Sequence, residues 1–329
     1  QFMYNPLKEA AGKVPQSPAI THPTRPFNRR MPPMSSSAPQ PLNGTRILSL
    51  ALNLPGPAAL MRCARMGATC TKLEPLAPAP HTSADPMALY SPQAYTDMHQ
   101  GIRVVQAHLK TEEGQAALHA ELQRTDVLIT SFRPSALIKL GLGWDALQAR
   151  YPRLSLVRIV GAAGERAEEP GHDLTYLADA GLATGTEMPP TLYADMGGAL
   201  MASEAVLQAL LVRAQTGQGT LLEVALADAA AWLAQPRHWG LTTPDGDVGG
   251  AHAGYRIYPC ADGRVAVAAL EPHFAARLCA AAGLPAVGDG PTLRAPATHE
   301  AVANFIRTQT RAQLDALALA QDIPLHTLA

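Results

Sequence analysis

Three short motifs put a titratable side chain beside a glycine or at the end of a predicted element. They are His172 in Gly-His-Asp-Leu-Thr-Tyr, Asp195 in Tyr-Ala-Asp-Met-Gly-Gly-Ala, and Glu271 in Leu-Glu-Pro-His-Phe. An imidazole titrates near neutrality, and burial or a neighbouring like charge can keep a carboxyl group protonated. Such a pair on opposite sides of one carbon can remove and return a proton. Taken singly, each residue is better explained as a helix cap, a solvated carboxylate or a structural histidine.

The glycines beside the aspartate suggest a site for a developing negative charge. We expect Asp195 to lie immediately before a helix whose first turn contains Gly197 and Gly198. There its carboxylate would cap free backbone N–H groups, and the N–H groups around the two glycines would face a ligand oxygen. His172 falls at a predicted loop-to-helix junction, and Glu271 precedes a proline at the first position of a helix.

From residue 45 onward, short β-branched or leucine-rich runs alternate with alanine-rich stretches, which is typical of a parallel α/β sheet. The predicted strands are 46–50, 69–74, 103–107, 127–130, 154–160 and 221–224, and the predicted helices are 57–66, 112–124, 144–150, 200–213 and 226–234. This order of crossovers predicts a doubly wound, Rossmann-like domain. No GxGxxG follows the first strand and no GxxxxGK[ST] is present, which excludes the usual dinucleotide and P-loop fingerprints.

Composition and pattern divide the chain into three parts. Residues 1–41 are proline-rich without an apolar period. Because such a segment cannot bury enough apolar surface to offset the entropy that it loses on ordering, we expect a disordered extension. Residues 42–240 are predicted to form the large α/β domain. Residues 241–329 are predicted to form a small α+β domain, with a hairpin over 255–259 and 264–268 and helices over 272–282 and 299–319.

The bulk properties exclude several classes of protein. The 329 residues carry 26 basic and 27 acidic side chains, and the net charge of −1 leaves no field for nucleic acid. Acidic residues interrupt the apolar stretches, so we predict no membrane span. The four cysteines lack the spacing of a zinc site or a disulfide framework, so we expect no metal and a cytoplasmic location.

Taken together, the motifs resemble a known family. The runs are Leu-Asn-Gly-Thr-Arg-Ile-Leu (42–48), Pro-Gly-Pro (55–57), Lys-Leu-Glu-Pro (72–75), Phe-Arg-Pro (132–134), Leu-Gly-Leu-Gly (140–143) and Arg-Ala-Gln-Thr-Gly-Gln-Gly (213–219). In this order they resemble the class III CoA-transferase (CaiB/BaiF) family, which also contains the α-methylacyl-CoA racemases. The resemblance covers nearly all of the chain from residue 42 onward.

The resemblance implies roles for the three motifs. The position of Asp195 is similar to that of an aspartate that transferases use as a nucleophile and racemases use as an acid or base. The motifs around His172 and Glu271 are similar to those of the racemase branch, where the histidine is the opposing base and the glutamate supports it. Asp173 is a further candidate, because its charge could raise the pKa of the Asp195 carboxyl group or stabilise an imidazolium.

The resemblance also implies an acyl-CoA substrate, with no cofactor beyond its CoA moiety. Arg103, Arg133 and Lys139 are the expected contacts to the CoA phosphates, and Gly197 and Gly198 are the expected enolate donors. Relatives often have arginine where Lys139 stands, which would remove bidentate phosphate geometry.

The family also implies an interlocked homodimer. Relatives continue from a similar segment back into the first domain, and we expect this return segment to be missing after residue 329.

Three functions stay open on the sequence. The first is epimerisation of 2-methylacyl-CoA thioesters by removal and return of the α-proton through an enolate. The second is CoA transfer with Asp195 as the acyl-accepting nucleophile. The third is a non-catalytic paralogue that binds CoA esters.

Overall fold

The computed structural model describes residues 39–329, which form two β-sheets with their helices. The extension predicted over residues 1–41 lies outside the described residues, apart from its last three. The fold is the predicted α/β arrangement, with a large parallel sheet and a smaller antiparallel one.

The large sheet has six parallel strands in the order β3-β2-β1-β4-β5-β6. The strands are β1 (Arg46–Ser49), β2 (Thr69–Glu74), β3 (Arg103–Gln106), β4 (Val127–Thr130), β5 (Ser155–Val160) and β6 (Leu221–Ala225). The order reverses between β1 and β4, which is the topological switch point where ligands of doubly wound sheets bind.

The helices of this unit cover both faces of the sheet. They are α1 (Pro55–Arg65), α2 (Pro86–Tyr90), α3 (Pro92–Met98), α4 (Glu112–Leu122), α5 (Pro134–Lys139), α6 (Trp144–Arg150), α7 (Asp173–Asp179), α8 (Tyr193–Thr216), α9 (Leu226–Leu233) and α10 (Gln235–His238). Successive strand residues point to opposite faces, so Ile47 joins the core under α1 and α8, whereas Leu48 joins the core under α4 and α6. This double coverage explains the continuous apolar runs of the strands.

The helix that carries the candidate aspartate begins earlier than the sequence predicts. The prediction was 200–213, but α8 runs over Tyr193–Thr216, and Asp195 is its third residue and not the residue before it. Length and apolar composition alone would also allow α8 to cross a membrane. That is a weak indication for a single helix, and here α8 packs against α1, α9 and β5.

The smaller sheet is antiparallel, in the order β7-β8-β9, with β7 (Tyr255–Cys260), β8 (Gly263–Ala268) and β9 (Leu325–Leu328). The predicted hairpin is therefore present, and the end of the chain adds a third strand. Its helices are α11 (Pro272–Ala281), α12 (Gly290–Arg294), α13 (Pro296–Thr308) and α14 (Arg311–Gln321).

The single helix predicted over 299–319 is wrong. The chain breaks at Gln309, whose backbone is extended, and Thr310 caps α14 by accepting a hydrogen bond from the Gln313 N–H at 3.3 Å. The Gln313 side chain accepts from the Thr310 N–H at 2.8 Å in return, which completes a capping box.

A buried ion pair fixes the loops that leave β1 and β2. The side chains of Lys72 and Asp85 are fully buried and bonded to each other. The other Asp85 oxygen, Oδ1, accepts from the backbone N–H of Asn53 at 3.0 Å and of Met87 at 2.9 Å. One carboxylate therefore ties the β1–α1 loop to the start of α2.

We predict that Asp85→Asn lowers the free energy of unfolding by about 3 kcal/mol, because the Lys72 ammonium is left buried without a counter-charge. The measurement is urea denaturation followed by circular dichroism. The double variant Lys72→Met, Asp85→Asn should recover part of the loss.

The exposed ion pair between Arg166 and Glu169 provides the control. Glu169→Gln should change the free energy of unfolding by less than about 1 kcal/mol. A loss for Asp85→Asn no larger than this control would contradict a stabilising role for the buried pair.

Candidate active site

A cavity of about 210 Å³ opens at the carboxyl ends of β1, β4 and β5, at the switch point of the sheet. Its wall comes from the loops that follow these three strands and from the starts of α7 and α8. The lining residues include Leu52, Asn53, Ser131, Arg133, Gly161, Glu169, His172, Tyr176 and Asp195. Two of the three predicted catalytic residues, His172 and Asp195, thus share one cavity.

The histidine lies where the chain enters α7. His172 has an extended backbone, and its N–H donates to the Thr175 hydroxyl at 3.1 Å, which anchors the helix start. Its side chain is exposed, so the imidazole is accessible to a ligand in the cavity. The loop-to-helix junction predicted for this residue is present.

The aspartate lies in the first turn of α8 and is tied to α7. The backbone N–H of Asp195 donates to the Asp173 carboxylate at 3.0 Å, and Asp173 itself is buried. This hydrogen bond joins the start of α8 to the first residue of α7, and hence to the neighbouring His172. The Asp173 carboxylate therefore contacts the backbone of Asp195.

The surroundings of Asp195 favour its protonated form. Burial, and after it the negative charge of Asp173, raise the pKa of its carboxyl group to about 6, and the charge of His172 opposes this shift. A carboxyl group with this pKa exchanges a proton close to neutral pH. The geometry thus puts a carboxyl group of raised pKa and an imidazole on the same cavity wall.

The expected role of Gly197 and Gly198 is not supported by their position. Both lie beyond the first turn of α8, where a helical N–H donates to the carbonyl four residues earlier. A Cβ on Gly198 would lie 2.2 Å from Leu226, and one on Gly197 would lie 3.2 Å from Leu233. Their lack of a side chain therefore lets α8 approach α9, and the cavity lining does not include them.

The three residues that were predicted to contact CoA do not all lie at the cavity. Arg133 lines the cavity at the end of β4. Lys139 is the last residue of α5, which begins directly after Arg133. Both basic residues act on Glu168: hydrogen bonds from Ser135, and after them the charges of Arg133 and Lys139, lower the pKa of its carboxyl group. Arg103 starts β3 and pairs with Glu121 at 2.6 Å, so it lies at the amino edge of the sheet, away from the cavity.

Glu271 is also not brought to this cavity. It precedes α11 in the smaller unit, its side chain is exposed, and it makes no side-chain cap. The chain by itself therefore unites His172 and Asp195 but leaves Glu271 apart.

Sequence reasoning missed Asn53 and Tyr176, which line the cavity with the predicted pair. Tyr176 falls in the quoted Gly-His-Asp-Leu-Thr-Tyr motif. Because it follows His172 by one helical turn, it could have been predicted as a site residue. Asn53 follows β1 just before the Pro-Gly-Pro run, and only the position of that loop at the switch point would have indicated it.

The family model for CoA-transferase family III matches residues 42–329. The chain belongs to this family. Among curated relatives, it is 31% identical over 217 residues to a probable fatty acyl-CoA transferase of Mycobacterium tuberculosis, covering 60% of this chain and 54% of that protein. It is 30% identical over 261 residues to human alpha-methylacyl-CoA racemase, covering 74% of this chain and 65% of that protein.

Solved structures agree on the fold. A hypothetical protein of Mycobacterium tuberculosis superposes with a TM-score of 0.74 at 24% identity, covering 89% of this chain and 86% of that one. A CaiB/BaiF family protein of Brucella suis gives a TM-score of 0.72 at 23% identity, covering 89% of this chain and 85% of that one. The chain spans between half and two thirds of the length of the first curated relatives, whose names include both a racemase and a transferase.

The raised pKa of Asp195 predicts a pH-dependent effect on stability. The folded state holds this proton up to about pH 6, whereas an ordinary aspartate loses it near 3.8. The contribution of Asp195 to the stability of the wild-type protein therefore falls as pH rises through this interval. Asp195→Asn escapes the loss, so its free energy of unfolding should exceed the wild-type value increasingly from pH 4 to pH 7, by up to about 3 kcal/mol.

Urea denaturation at each pH measures the difference. Asp179→Asn, an exposed position on the same helix as Asp173, is the matched control and should show no such trend. If Asp195→Asn and wild type follow parallel curves over the whole range, the proposed raised pKa is wrong.

Proposed function

We propose that this chain epimerises the α-carbon of 2-methylacyl-CoA thioesters by removing and returning one proton through an enolate. The observation that carries the proposal is the shared cavity of His172 and Asp195, with the pKa of the Asp195 carboxyl group at about 6. The proposed reaction uses no cofactor beyond the CoA moiety of the substrate.

The two groups exchange roles between the two directions of the reaction. In one direction the neutral imidazole of His172 takes the α-proton from one face, and the protonated carboxyl group of Asp195 returns a proton to the other face. In the reverse direction, the Asp195 carboxylate is the base and the imidazolium is the acid. A carboxyl pKa near 6 supports this cycle, because both forms of Asp195 are then accessible close to neutral pH.

The enolate oxygen needs hydrogen-bond donors, and Gly197 and Gly198 are poor candidates because their N–H groups lie within α8. The first-turn N–H groups of α7 are better candidates, since they precede the first intrahelical bond and adjoin His172. We therefore assign the donor role to the backbone at Asp173 and Leu174.

We assign Arg133 to the binding of the negatively charged CoA phosphates. Its guanidinium is exposed on the cavity wall at the end of β4, and a phosphate can accept two parallel hydrogen bonds from it. Lys139, at the other end of the short helix α5, adds a second positive charge.

A homodimer would reconcile Glu271 with the proposed reaction. Glu271 is exposed on the smaller unit, so a second copy of the chain could bring it to the cavity of the first. Exposed apolar side chains near the site, among them Met196 and Trp232, are consistent with burial in such a contact.

A CoA-transferase is the second candidate, since relatives carry that name and Asp195 is accessible in the cavity. Its carboxylate would attack the thioester carbonyl and release CoA as a thiolate. This chemistry uses only the ionised form, so a raised pKa gives it no advantage, and we favour the epimerase on that ground. Non-catalytic binding of CoA esters is the third.

Solvent exchange tests the proposal. In deuterated water, a 2-methylacyl-CoA should gain deuterium at its α-carbon without an acid acceptor. His172→Ala and Asp195→Asn should each lower the racemisation rate by about 100-fold to 10,000-fold, because each removes one of the two proton-transfer groups. NMR and chiral chromatography measure exchange and inversion separately.

Asp179→Asn is the control and should keep the wild-type rate. Hydroxylamine-sensitive acylation of Asp195, with CoA passing to a free acid, would instead establish the transferase. Binding of CoA esters with neither signal would leave the non-catalytic candidate.

The two arginines form a matched pair for the CoA contact. Arg133→Ala should raise the KM for the acyl-CoA about 10-fold or more, because the loss of a charge-assisted contact to phosphate weakens binding. Arg103→Ala, at the opposite edge of the sheet, should leave KM unchanged. Steady-state exchange rates measure both, and an equal effect of the two variants would contradict the assignment.

A further inference from the structure

Asn53 has an unusual backbone for a residue with a side chain. Its φ is +72°, and besides Asp322 it is the only non-glycine residue with positive φ in the part of the chain that the structure describes. Asp322 ends a helix, whereas Asn53 lies in the loop between β1 and α1 and lines the cavity with His172 and Asp195. Backbone strain that is held in place at a ligand cavity points to function.

The loop around Asn53 is rigidly held. The N–H of Asn53 donates to Asp85 at 3.0 Å, and the buried Lys72 bonds to the same carboxylate. The preceding N–H, of Leu52, donates to the Ser131 hydroxyl at 3.4 Å. The direction of the Asn53 side chain is therefore set by a buried ion pair and not by contacts of its own.

The carboxamide of Asn53 has no hydrogen-bond partner within the described part of the chain. Its Oδ1 is shielded from solvent and accepts no hydrogen bond, and its nitrogen donates none to any residue between 39 and 329. A buried acceptor without a donor destabilises the protein until a ligand supplies one. Rotation about χ2, a broad two-fold torsion, can turn either end of the carboxamide toward the cavity. The Oδ1 acceptor is thus complementary to a ligand that supplies an N–H.

An acyl-CoA has such a group close to its reactive carbon. In the cysteamine part of CoA, two methylene groups separate the thioester sulfur from an amide. Asn53 follows β1 and His172 lies beyond β5, and these strands are two positions apart, about 10 Å across the sheet. A thioester whose α-carbon is between His172 and Asp195 therefore has its cysteamine amide within reach of the β1 loop.

We propose that Asn53 binds the cysteamine amide of the substrate, with Oδ1 turned toward the cavity by rotation about χ2 and accepting from the amide N–H. This assignment rests on the proposed use of CoA thioesters. It makes Asn53 a specificity residue that selects amide-bearing thiol carriers over simple thiols and takes no part in proton transfer.

The test compares two ligands that differ in one group. One is a 2-methylacyl-CoA, and the other is its analogue in which an ester oxygen replaces the cysteamine N–H. Wild-type protein should bind the ester analogue about 10-fold more weakly by calorimetry, since the Oδ1 acceptor stays unpaired. In Asn53→Gly, which keeps the positive φ and the N–H to Asp85, the two ligands should bind alike.

Asn43→Gly, at an exposed turn before β1, is the control and should keep the 10-fold difference. In the exchange assay, Asn53→Gly should raise KM with kcat unchanged, as expected for a contact made equally in the ground and transition states. A fall in kcat at constant KM, or an undiminished ligand preference in Asn53→Gly, would overturn the proposal.

Failure of the proposed function has a different signature. If wild-type protein catalyses no α-proton exchange but still distinguishes the two ligands, the epimerase is wrong and the Asn53 contact stands. If it binds neither ligand, the Asn53 proposal is overturned as well.

Discussion

The hydrogen bond from the Asp195 N–H to the Asp173 carboxylate organises the candidate site. It joins the starts of α7 and α8, two helices separated by a loop without regular structure, and His172 precedes α7 directly. The same contact holds a negative charge beside the Asp195 carboxyl group, which adds to the effect of burial on its pKa. Position and electrostatics therefore have a common origin, and the two proposed proton-transfer groups, His172 and Asp195, cannot be moved independently.

The sheet provides the fixed frame for this contact. Parallel strands end at one edge, and the reversal of order between β1 and β4 opens the crevice into which their loops project. The loop after β1 is held by Asp85 and that after β4 by the bond from Leu52 to Ser131, so both walls of the crevice are coupled. A ligand in this cavity meets a wall that is already ordered, which lowers the entropic cost of binding.

Much of the fold follows from local patterns, and the failures have physical causes. The strands were predictable because both faces of the sheet are covered, and α4 because Thr111 caps it. The early start of α8 was hidden because glycines are poor helix formers, and only packing against α9 shows why they occur there. The break before α14 was visible in its capping-box sequence, Thr310 to Gln313, but the longer apolar period concealed it.

The candidate site was predicted less completely, because it depends on which edge of the sheet a residue occupies. Arg103 begins its strand, so the rule that ligands bind at carboxyl ends already argued against it, whereas Arg133 follows a strand and satisfies the rule. No local pattern indicates Asn53, because its backbone is held by the carboxylate of Asp85, 32 residues away in the sequence.

The structural carboxylate of Asp85 differs from Asp195, the proposed proton donor, in whether a positive charge compensates it. Asp85 is buried against the Lys72 ammonium, so its charge is neutralised where it lies and its oxygens are free to fix two loops. Asp195 is partly buried beside another acid, with only His172 to oppose the effect. Its ionised form is therefore less favoured than that of an ordinary aspartate, and the group takes up its proton at about pH 6, which is the property that a reversible proton donor needs. Moving a cation next to Asp195 would improve its fit to the fold and remove its capacity to act as an acid.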